Sequence, residues 1–208
     1  MKALYISFAI VLMDQFSKIY IKGISLPFLK IQHAGMFQGQ QILLLDDLFN
    51  ITYIENPGIA FGINLGPEFK LLTCLFTLLA AIGLLIYFLR IKDKPFILRF
   101  PVALIIGGAI GNLIDRIFYG VFYGYSNLFF GKVVDFFDIR ILNLMLFDRT
   151  IGNYVFNIAD IAVTVGVVML LFVYNRKKKT YEEPAEEQAE EQVTEVPVLE
   201  LAENKDLI

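Results

Sequence analysis

The chain has 208 residues, of which 57% are hydrophobic, and its mean hydropathy is +0.62. Because soluble domains contain about 45–50% apolar residues, this composition excludes an ordinary soluble enzyme and indicates a polytopic membrane protein. The single cysteine excludes an internal disulfide, and the single histidine excludes a histidine-based metal cluster. The net charge of −3 is the sum of a basic segment, residues 1–179, and an acidic segment from Thr180 onward.

Four apolar segments are each close to the roughly 20 residues that span a bilayer core. They cover residues 4–21, 71–89, 100–118 and 155–174. The first segment follows Met1 and Lys2, but no small-residue cleavage site follows it, so we interpret it as an uncleaved anchor. Basic residues between the second and third segments and after the fourth predict that both chain ends are cytoplasmic. The loops of about 22–70 and 119–154 then face outside.

The two loops that face outside contain more than connecting residues. Residues 48–54 have the composition of a β-strand, and residues 119–125 are rich in aromatic residues and glycine. We therefore predict an all-α integral membrane protein with four transmembrane helices and a small extracytoplasmic β-sheet on the outer leaflet. Residues 1–179 form the membrane domain. Residues 180–208 contain repeated glutamates and too few apolar groups to fold, which predicts a disordered acidic cytoplasmic tail.

Two opposite charges interrupt the first apolar segment. Asp14 and Lys18 are four residues apart, so on a helix they share a face and can form an ion pair. An unpaired charge at the bilayer centre costs roughly 3 kcal/mol, and pairing reduces that cost. Two compatible interpretations remain open: the pair only neutralises two costly charges, or it faces the helix bundle and positions other polar groups.

The third apolar segment carries small residues at 107–111, which allow two membrane helices to approach closely. Asn112 and Arg116 are four residues apart and share a face of the same helix. Three roles remain open for Arg116: its side chain extends to the outer headgroups, binds a lipid phosphate, or orients an acid. Asp115 is a third candidate acid, although an ion pair with its neighbour Arg116 would explain its presence.

Two further acids, Asp135 and Asp160, lie at the edges of apolar segments and, by the predicted topology, on the outer side. Carboxylates at membrane depth are costly and therefore indicate a functional site. The immediate flanks of Asp135 are Val133, Val134, Phe136 and Phe137. These apolar flanks exclude water and predict a raised pKa for Asp135. Asn157 shares a helix face with Asp160 and is placed to orient its carboxyl group or to hold its protonated form.

One protonated and one ionised carboxyl group are what general acid/base hydrolysis requires, so the two acids favour a hydrolase. The alternative from another class is a non-enzymatic membrane protein, such as a small transporter subunit or scaffold. Its polar residues would form a proton relay from Asp14 and Lys18 to Asp135 and Asp160. A relay is expected to be distributed through the membrane, whereas the predicted topology gathers the acids at the outer side. The clustering favours hydrolysis.

Five strings of the chain, in this order, resemble those of the bacterial lipoprotein signal peptidases (signal peptidase II). The strings are Asp14–Lys18, Glu55–Gly62, Gly107–Arg116, Val134–Phe136 and Phe156–Asp160. The resemblance spans about residues 10–170 and implies an aspartyl peptidase of the bacterial cytoplasmic (inner) membrane that needs no metal or other cofactor. By position, Asp135 and Asp160 would form the catalytic dyad. The residues that would line or support the site are Asp14, Lys18, Asn56, Gly58, Ala60, Gly108, Asn112, Arg116, Asn157 and Ala159.

The same resemblance implies the reaction and the partners. The substrates would be prolipoproteins that are cut just before a cysteine carrying a diacylglyceryl group, with one aspartate activating water and the other protonating the scissile amide. Membrane phospholipid and globomycin-like inhibitors are further implied partners, and nucleic acid is not. The chain departs from the family in two longer outer stretches, which include residues 123–130 and 143–152, and in its acidic tail. The inserts bear on the shape of the outer lid.

Overall fold

The structure is a computed structural model that describes residues 2–45, 48–58, 67–146 and 149–173. By compactness the chain divides into two units, Met1–Met169 and Leu170–Ile208. The fold given below is that of the first unit, and Leu170–Val173 form the last turn of a helix. Of the predicted features, Ala60 and the acidic tail of residues 180–208 lie outside the described residues.

Each of the four predicted apolar segments contains a helix. The helices are α1 (Leu4–Lys22), α2 (Pro67–Arg90), α3 (Phe96–Ile114), α4 (Gly120–Phe122) and α5 (Ile158–Val173). A π-helical turn, Asp115–Tyr119, joins α3 to the single turn of α4. The segments Leu4–Lys22, Glu68–Arg90 and Phe96–Phe122 are long and apolar enough to cross a membrane, and within the described residues α5 is shorter. Pro95 precedes α3, where its lack of an N–H costs no intrahelical hydrogen bond.

The described strands form two antiparallel sheets. The smaller sheet pairs β1 (Ile24–Leu26) with β2 (Ile31–His33). The larger sheet has the strand order β3-β4-β5-β6, and its strands are β3 (Gln41–Leu45), β4 (Phe49–Asn56), β5 (Val133–Leu146) and β6 (Arg149–Phe156). The strand predicted at residues 48–54 is present as β4. The all-α class is not confirmed, because the larger sheet contains a 14-residue strand and is more extensive than the small sheet predicted.

The start of the fourth apolar segment is a strand, where a helix was predicted. The fourth apolar segment was expected to be helical from residue 155, but β6 continues to Phe156 and α5 begins at Ile158. Phe156 pairs with Phe137 in the register of β5 and β6, and the two rings lie 5.8 Å apart. A short apolar run is compatible with either a strand or a helix, so the cross-strand pair decides the conformation.

The register of the larger sheet brings three site segments together. Ile54 of β4 pairs with Asp135 of β5, so the end of β4 lies beside the start of β5. The pairing of Phe137 with Phe156 then places the chain that follows β6 next to the same part of β5. As a result, the C-terminal ends of β4 and β6 and the N-terminal start of β5 lie close together at one end of the sheet.

Small residues of α3 allow the helices around it to pack closely. A Cβ atom on Gly107 would come within 2.9 Å of the Ser7 carbonyl oxygen, and one on Gly108 would come within 2.3 Å of the Ala159 carbonyl oxygen. The Ser7 hydroxyl also donates a hydrogen bond of 2.7 Å to the carbonyl of Ala103. Glycine is therefore required at these two positions of α3, and the close packing brings both α1 and the start of α5 against this helix.

Candidate active site

A fully buried cation lies at the centre of the polar residues. The Lys18 Nζ atom is 2.8 Å from Oδ2 of Asp14, 2.8 Å from Oδ2 of Asp115 and 2.9 Å from Oδ1 of Asn112. The side chains of Lys18 and both acids are 0% exposed. An ammonium group has three donors, and these contacts use all of them. The predicted pair of Asp14 and Lys18 is therefore present and has a second acid as partner.

The predicted ion pair of Asp115 and Arg116 is not formed, because Asp115 pairs with Lys18 instead. Adjacent residues of a helix point in different directions, so a neighbour is a poor partner. Asp115 also accepts hydrogen bonds from the Gln15 amide at 2.9 Å and from the backbone N–H of Val134 at 3.2 Å. It thereby joins α1 and the π-helical turn to the first residues of β5. The sequence analysis did not predict this linking role of Asp115, nor the part that Gln15 takes in it.

Asp14 contacts the beginning of α5 in addition to its ion pair with Lys18. Its Oδ1 atom accepts the backbone N–H of Ala159 at 3.0 Å, in the first turn of that helix. A carboxylate at this position satisfies a backbone donor that lacks an intrahelical partner and stabilises the positive end of the helix dipole. Both interpretations offered for the Asp14–Lys18 pair are consistent with this geometry: the charges are neutralised, and the pair holds other polar groups.

Two asparagine side chains connect the buried lysine to the candidate dyad. Lys18 can only donate, so the atom of Asn112 that faces it is the carbonyl oxygen, which leaves the amide to donate to Asp160 Oδ1 at 2.8 Å. The amide of Asn157 donates to the same Asn112 oxygen at 3.1 Å and to Asp135 Oδ1 at 2.7 Å. The amide donors therefore reach both acids, and their orientation is determined by the lysine.

Asn157 and Asp160 also cap the start of α5 reciprocally. The backbone N–H of Asp160 donates to Oδ1 of Asn157 at 3.0 Å, and the backbone N–H of Asn157 donates to Oδ2 of Asp160 at 3.2 Å. This is the capping-box arrangement, in which the residue that precedes a helix and the residue three positions later satisfy each other's backbone donors. The candidate acid Asp160 is consequently held by α5 on one oxygen and by Asn112 on the other.

Asp135 is buried on β5, with 4% of its surface exposed. Burial raises the pKa of Asp135, and the negative charge of Asp160 raises it further. Hydrogen bonds from Asn56 and Asn157 and the charge of Lys18 oppose these effects, and the resulting pKa is about 7. The prediction of a raised pKa from the apolar flanks is confirmed. The electrostatic effect of Asp160 also indicates that the two carboxyl groups lie close together.

The end of β4 presents a third amide to the dyad. Oδ1 of Asn56 accepts the backbone N–H of Gly58 at 2.9 Å, so the side-chain NH₂ of Asn56 is the part that donates to Asp135. Gly58 has a φ of +90°, a left-handed conformation that residues with a Cβ rarely adopt. Gly58 therefore contributes through its backbone, by keeping the Asn56 side chain in orientation.

Arg116 is half-buried and lies one helical turn after Asn112. Its guanidinium donates to the Asn112 carbonyl at 3.2 Å, and among the described residues it forms no ion pair. Gly108 and Ala159 are in direct contact, as expected of supporting residues. Across the part of the chain that the structure describes, no group of three or more His, Cys, Asp or Glu side chains is placed to hold a metal ion.

The chemical capability of this arrangement follows from the two acids. Asp135 has a pKa near 7 and keeps a proton close to neutral pH, whereas Asp160 accepts hydrogen bonds on both of its oxygens. Two carboxyl groups whose environments differ in this way can divide the roles of general acid and general base. The site is therefore suited to the activation of water and the protonation of a leaving group.

The family model described as signal peptidase (SPase) II matches residues 6–175 of the chain. The lipoprotein signal peptidase of Pelodictyon phaeoclathratiforme is 37% identical over 168 residues, which cover 80% of this chain and 86% of that protein. The lipoprotein signal peptidase of Clostridium novyi is 35% identical over 180 residues, which cover 86% of this chain and 100% of that protein.

Two solved structures, each described as a bacterial membrane enzyme, have a similar fold. One has a TM-score of 0.60 at 24% identity, and the matched region covers 86% of this chain and 90% of the chain in that structure. The other has a TM-score of 0.56 at 26% identity, and the matched region covers 83% of this chain and 92% of the chain in that structure. The fold described above is therefore shared with these two proteins.

Proposed function

The chain belongs to the signal peptidase II family, and we propose that it is an aspartyl endopeptidase that removes signal peptides from diacylglyceryl-modified prolipoproteins, cutting before the lipidated cysteine. Asp135 and Asp160 are the proposed catalytic residues. The observation that carries the proposal is that both carboxyl groups accept hydrogen bonds from neighbouring amides, Asp160 from Asn112 and Asp135 from Asn157. The buried Lys18 holds the Asn112 side chain, whose oxygen also accepts a hydrogen bond from the Asn157 amide.

In the proposed mechanism Asp160 is the general base and Asp135 the general acid. Asp160 removes a proton from the attacking water, whose oxygen forms a bond to the scissile carbonyl carbon. Asp135 donates its proton to the carbonyl oxygen, so that a neutral tetrahedral intermediate forms. The proton acquired by Asp160 then passes to the amide nitrogen as the carbon–nitrogen bond breaks. Asp135 takes a proton back from one hydroxyl group of the intermediate, which becomes the new carboxyl group, so both acids return to their starting states. The pKa of about 7 for Asp135 supports its role as the acid, because a carboxyl group with its ordinary pKa would have lost its proton near neutral pH.

The proposal includes a topology of four transmembrane helices in the bacterial inner membrane, with both chain ends cytoplasmic and the active site at the outer face. The excess of basic residues after α2 supports this orientation, since such residues remain on the cytoplasmic side. Lipidated prolipoproteins are the proposed substrates, and globomycin-like compounds are proposed to inhibit. Arg116, which forms no ion pair among the described residues, is the proposed contact for a phospholipid phosphate.

A cleavage assay tests the proposal. The purified full-length protein in detergent is mixed with a prolipoprotein with or without its diacylglyceryl group, and the loss of the signal peptide is followed as a gel shift. We expect cleavage of the lipidated form alone. Asp135→Asn and Asp160→Asn should each abolish it, because the first removes the acid and the second removes the base.

The matched control for this assay is Asp138→Asn. Asp138 is a buried acid of the same strand that contacts Arg140 and Thr52 and makes no hydrogen bond with the dyad. The control variant should retain cleavage. Robust turnover by either dyad variant would exclude the proposed catalytic residues. A folded wild-type protein that cleaves neither form would exclude the peptidase and favour a proton relay instead.

A further inference from the structure

A second buried ionic cluster lies beside the candidate active site, and the mechanism above does not use it. Glu55, on β4, pairs with Lys22 at the end of α1 through one carboxylate oxygen and with Lys132 through the other, the latter at 3.1 Å. The side chains of Lys22 and Glu55 are 8% and 10% exposed. One acid therefore joins the end of a helix to the chain that enters β5.

Tyrosine side chains surround this cluster. The Tyr53 hydroxyl donates to Glu55 at 2.7 Å, and the Lys22 ammonium lies 4.4 Å from the ring centre of Tyr123 and 5.1 Å from that of Tyr125. A cation held over aromatic rings within about 6 Å is attracted by their negative faces. Burial by itself raises the pKa of Glu55, but hydrogen bonds from Lys22, Tyr53 and Lys132 outweigh that effect and lower it. The cluster is thus fully paired and stabilises the ionised acid.

The position of Glu55 in the chain connects the cluster to the dyad. Glu55 immediately precedes Asn56, whose side-chain amide donates to Asp135. Successive residues of a strand point to opposite faces, so Glu55 and Asn56 project to opposite sides of β4. In the register of the sheet Glu55 pairs with Val134 and Asn56 with Val133, so both lie within two residues of the position opposite Asp135.

Two lysines of α1 then have parallel roles. Lys18 and Lys22 are one helical turn apart and share a face. Lys18 orients Asn112, which donates to Asp160. Lys22 holds Glu55, the backbone neighbour of the residue that donates to Asp135.

We propose that Glu55 is a positioning residue of the active site: by binding Lys22 and Lys132 it holds the end of β4 in place and thereby keeps the Asn56 amide against Asp135. Glu55 does not contact the dyad, so its effect on the reaction passes through Asn56. This proposal rests on the proposed function, because it concerns the efficiency of the same acid pair. Without Glu55, the buried Lys22 and the partly exposed Lys132 would lack an acidic partner among the described residues, and the end of β4 would lose its attachment to α1.

The test is a double-mutant cycle on the full-length protein with the lipidated prolipoprotein as substrate. Glu55→Gln removes the charge with little change of shape, and Asn56→Ala removes the amide that contacts Asp135. Since a misplacement of about 1 Å costs about a hundredfold in rate, we expect Glu55→Gln to lower kcat by about tenfold in the wild-type background. In the Asn56→Ala background the same change should lower kcat by less than about twofold, and KM should remain nearly constant throughout. If the two effects simply multiply, or if KM alone changes, Glu55 does not act through Asn56.

The pH profile of kcat gives a readout that general destabilisation would not move. The charged groups that act on Asp135 are Asp160 and Lys18, and Glu55→Gln leaves both in place. Loosening the Asn56 hydrogen bond removes an interaction that favours the ionised form of Asp135. The alkaline limb should therefore move to higher pH in Glu55→Gln. An unchanged limb together with a lower kcat would contradict the proposal.

Two further variants separate the possible failures. Lys132→Met removes the more exposed of the two lysines and provides a milder form of the test if Glu55→Gln does not fold, with a smaller decrease of kcat in the same direction. Asp138→Asn removes the charge of another buried acid of the sheet, which is paired with Arg140, and should leave kcat and the pH profile unchanged. A wild-type protein that cleaves nothing would refute the proposed function. Cleavage by the wild type with independent effects of Glu55 and Asn56 would refute only the positioning role.

Discussion

The side-chain amide of Asn157 donates a hydrogen bond of 2.7 Å to Asp135, while its side-chain oxygen accepts the backbone N–H of Asp160 at 3.0 Å. A single residue thus contacts both candidate catalytic acids. Asp135 is on a strand and Asp160 on a helix, so this amide fixes their separation more directly than any backbone connection. The backbone N–H of Asn157 also donates to Asp160, and the side chains of Asn112 and Asn56 donate to Asp160 and Asp135 respectively.

The raised pKa of Asp135 predicts a dependence of stability on pH. Its pKa is about 7 in the folded protein and about 3.9 in an unfolded chain, so folding favours the protonated acid. The stability that this preference contributes is fully present below about pH 4 and is lost as the pH rises through about 7. Asp135→Asn retains a neutral side chain at every pH. Its melting temperature should therefore exceed that of the wild type at pH 8, and the difference should shrink on acidification.

The single cysteine provides the measurement. Cys74 is 0% exposed, so a thiol-reactive fluorescent dye labels it only on unfolding and reports the melting temperature in detergent. Asp138→Asn, scanned in parallel, controls for the loss of a buried carboxyl group in the same strand. If wild type and Asp135→Asn melt with the same pH dependence, the carboxyl group of Asp135 is not desolvated as described.

The buried Lys18 should be essential for stability. Lys18→Met leaves Asp14 and Asp115 buried without their cation, and breaking a buried ion pair costs about 3–5 kcal/mol. We expect a lower melting temperature by the Cys74 assay and a loss of cleavage. Adding Asp115→Asn to Lys18→Met should recover part of the stability, because one uncompensated charge is removed. A double variant less stable than Lys18→Met would contradict this account.

The contact between α3 and α5 should be intolerant of a single methyl group. In Gly108→Ala the new Cβ would lie 2.3 Å from the Ala159 carbonyl oxygen, so α5 and the Asp160 that it carries must shift. Overpacking of this kind costs about 1–3 kcal/mol, and we expect cleavage to fall by at least about tenfold. The matched control is Gly83→Ala on α2, where a Cβ meets nothing within 4 Å. Equal activity of the two variants would show that α5 accommodates the change.

Arg116 distinguishes a lipid contact from a structural role. If its guanidinium binds a lipid phosphate, Arg116→Lys keeps a charge and Arg116→Ala does not, so the alanine variant should use the lipidated substrate less well, with the larger change in kcat/KM. Its hydrogen bond to the Asn112 carbonyl is the only described polar contact that either variant would remove. Equal losses in the two variants would favour a structural role.

The acidic tail should be dispensable. Truncation after Lys179 removes residues 180–208, which lie beyond the shared strings of the family and contain ten acids and one base. We expect the rate of cleavage to remain within about twofold of the full-length protein, since such a composition does not bury enough apolar surface to form part of a packed site. The cleavage assay described above measures this directly, with the full chain as reference. A large loss of activity would assign the tail a role in catalysis or insertion.

Local features of the sequence predicted a substantial part of the fold and the site. Apolar segments of the length of a bilayer core indicated the helices, because length and hydropathy are properties of a continuous stretch of chain. The pairing of Asp14 with Lys18 followed from their spacing of four residues, and the raised pKa of Asp135 from its apolar neighbours. The shared strings of the family then indicated which acids belong together.

Contacts between residues far apart in the chain were decided only by the tertiary structure. Lys18 is the partner of Asp115 although 97 positions separate them, and the neighbour Arg116 is not. Likewise, the beginning of α5 at Ile158 depends on the pairing of Phe156 with Phe137. Periodicity and composition describe how a segment distributes its own side chains, whereas a buried charge binds whichever opposite charge the packing of the helices brings near. The sequence by itself therefore determined the apolar helices and indicated the candidate acids, and the packing of α1, α3 and the sheet determined what holds those acids together.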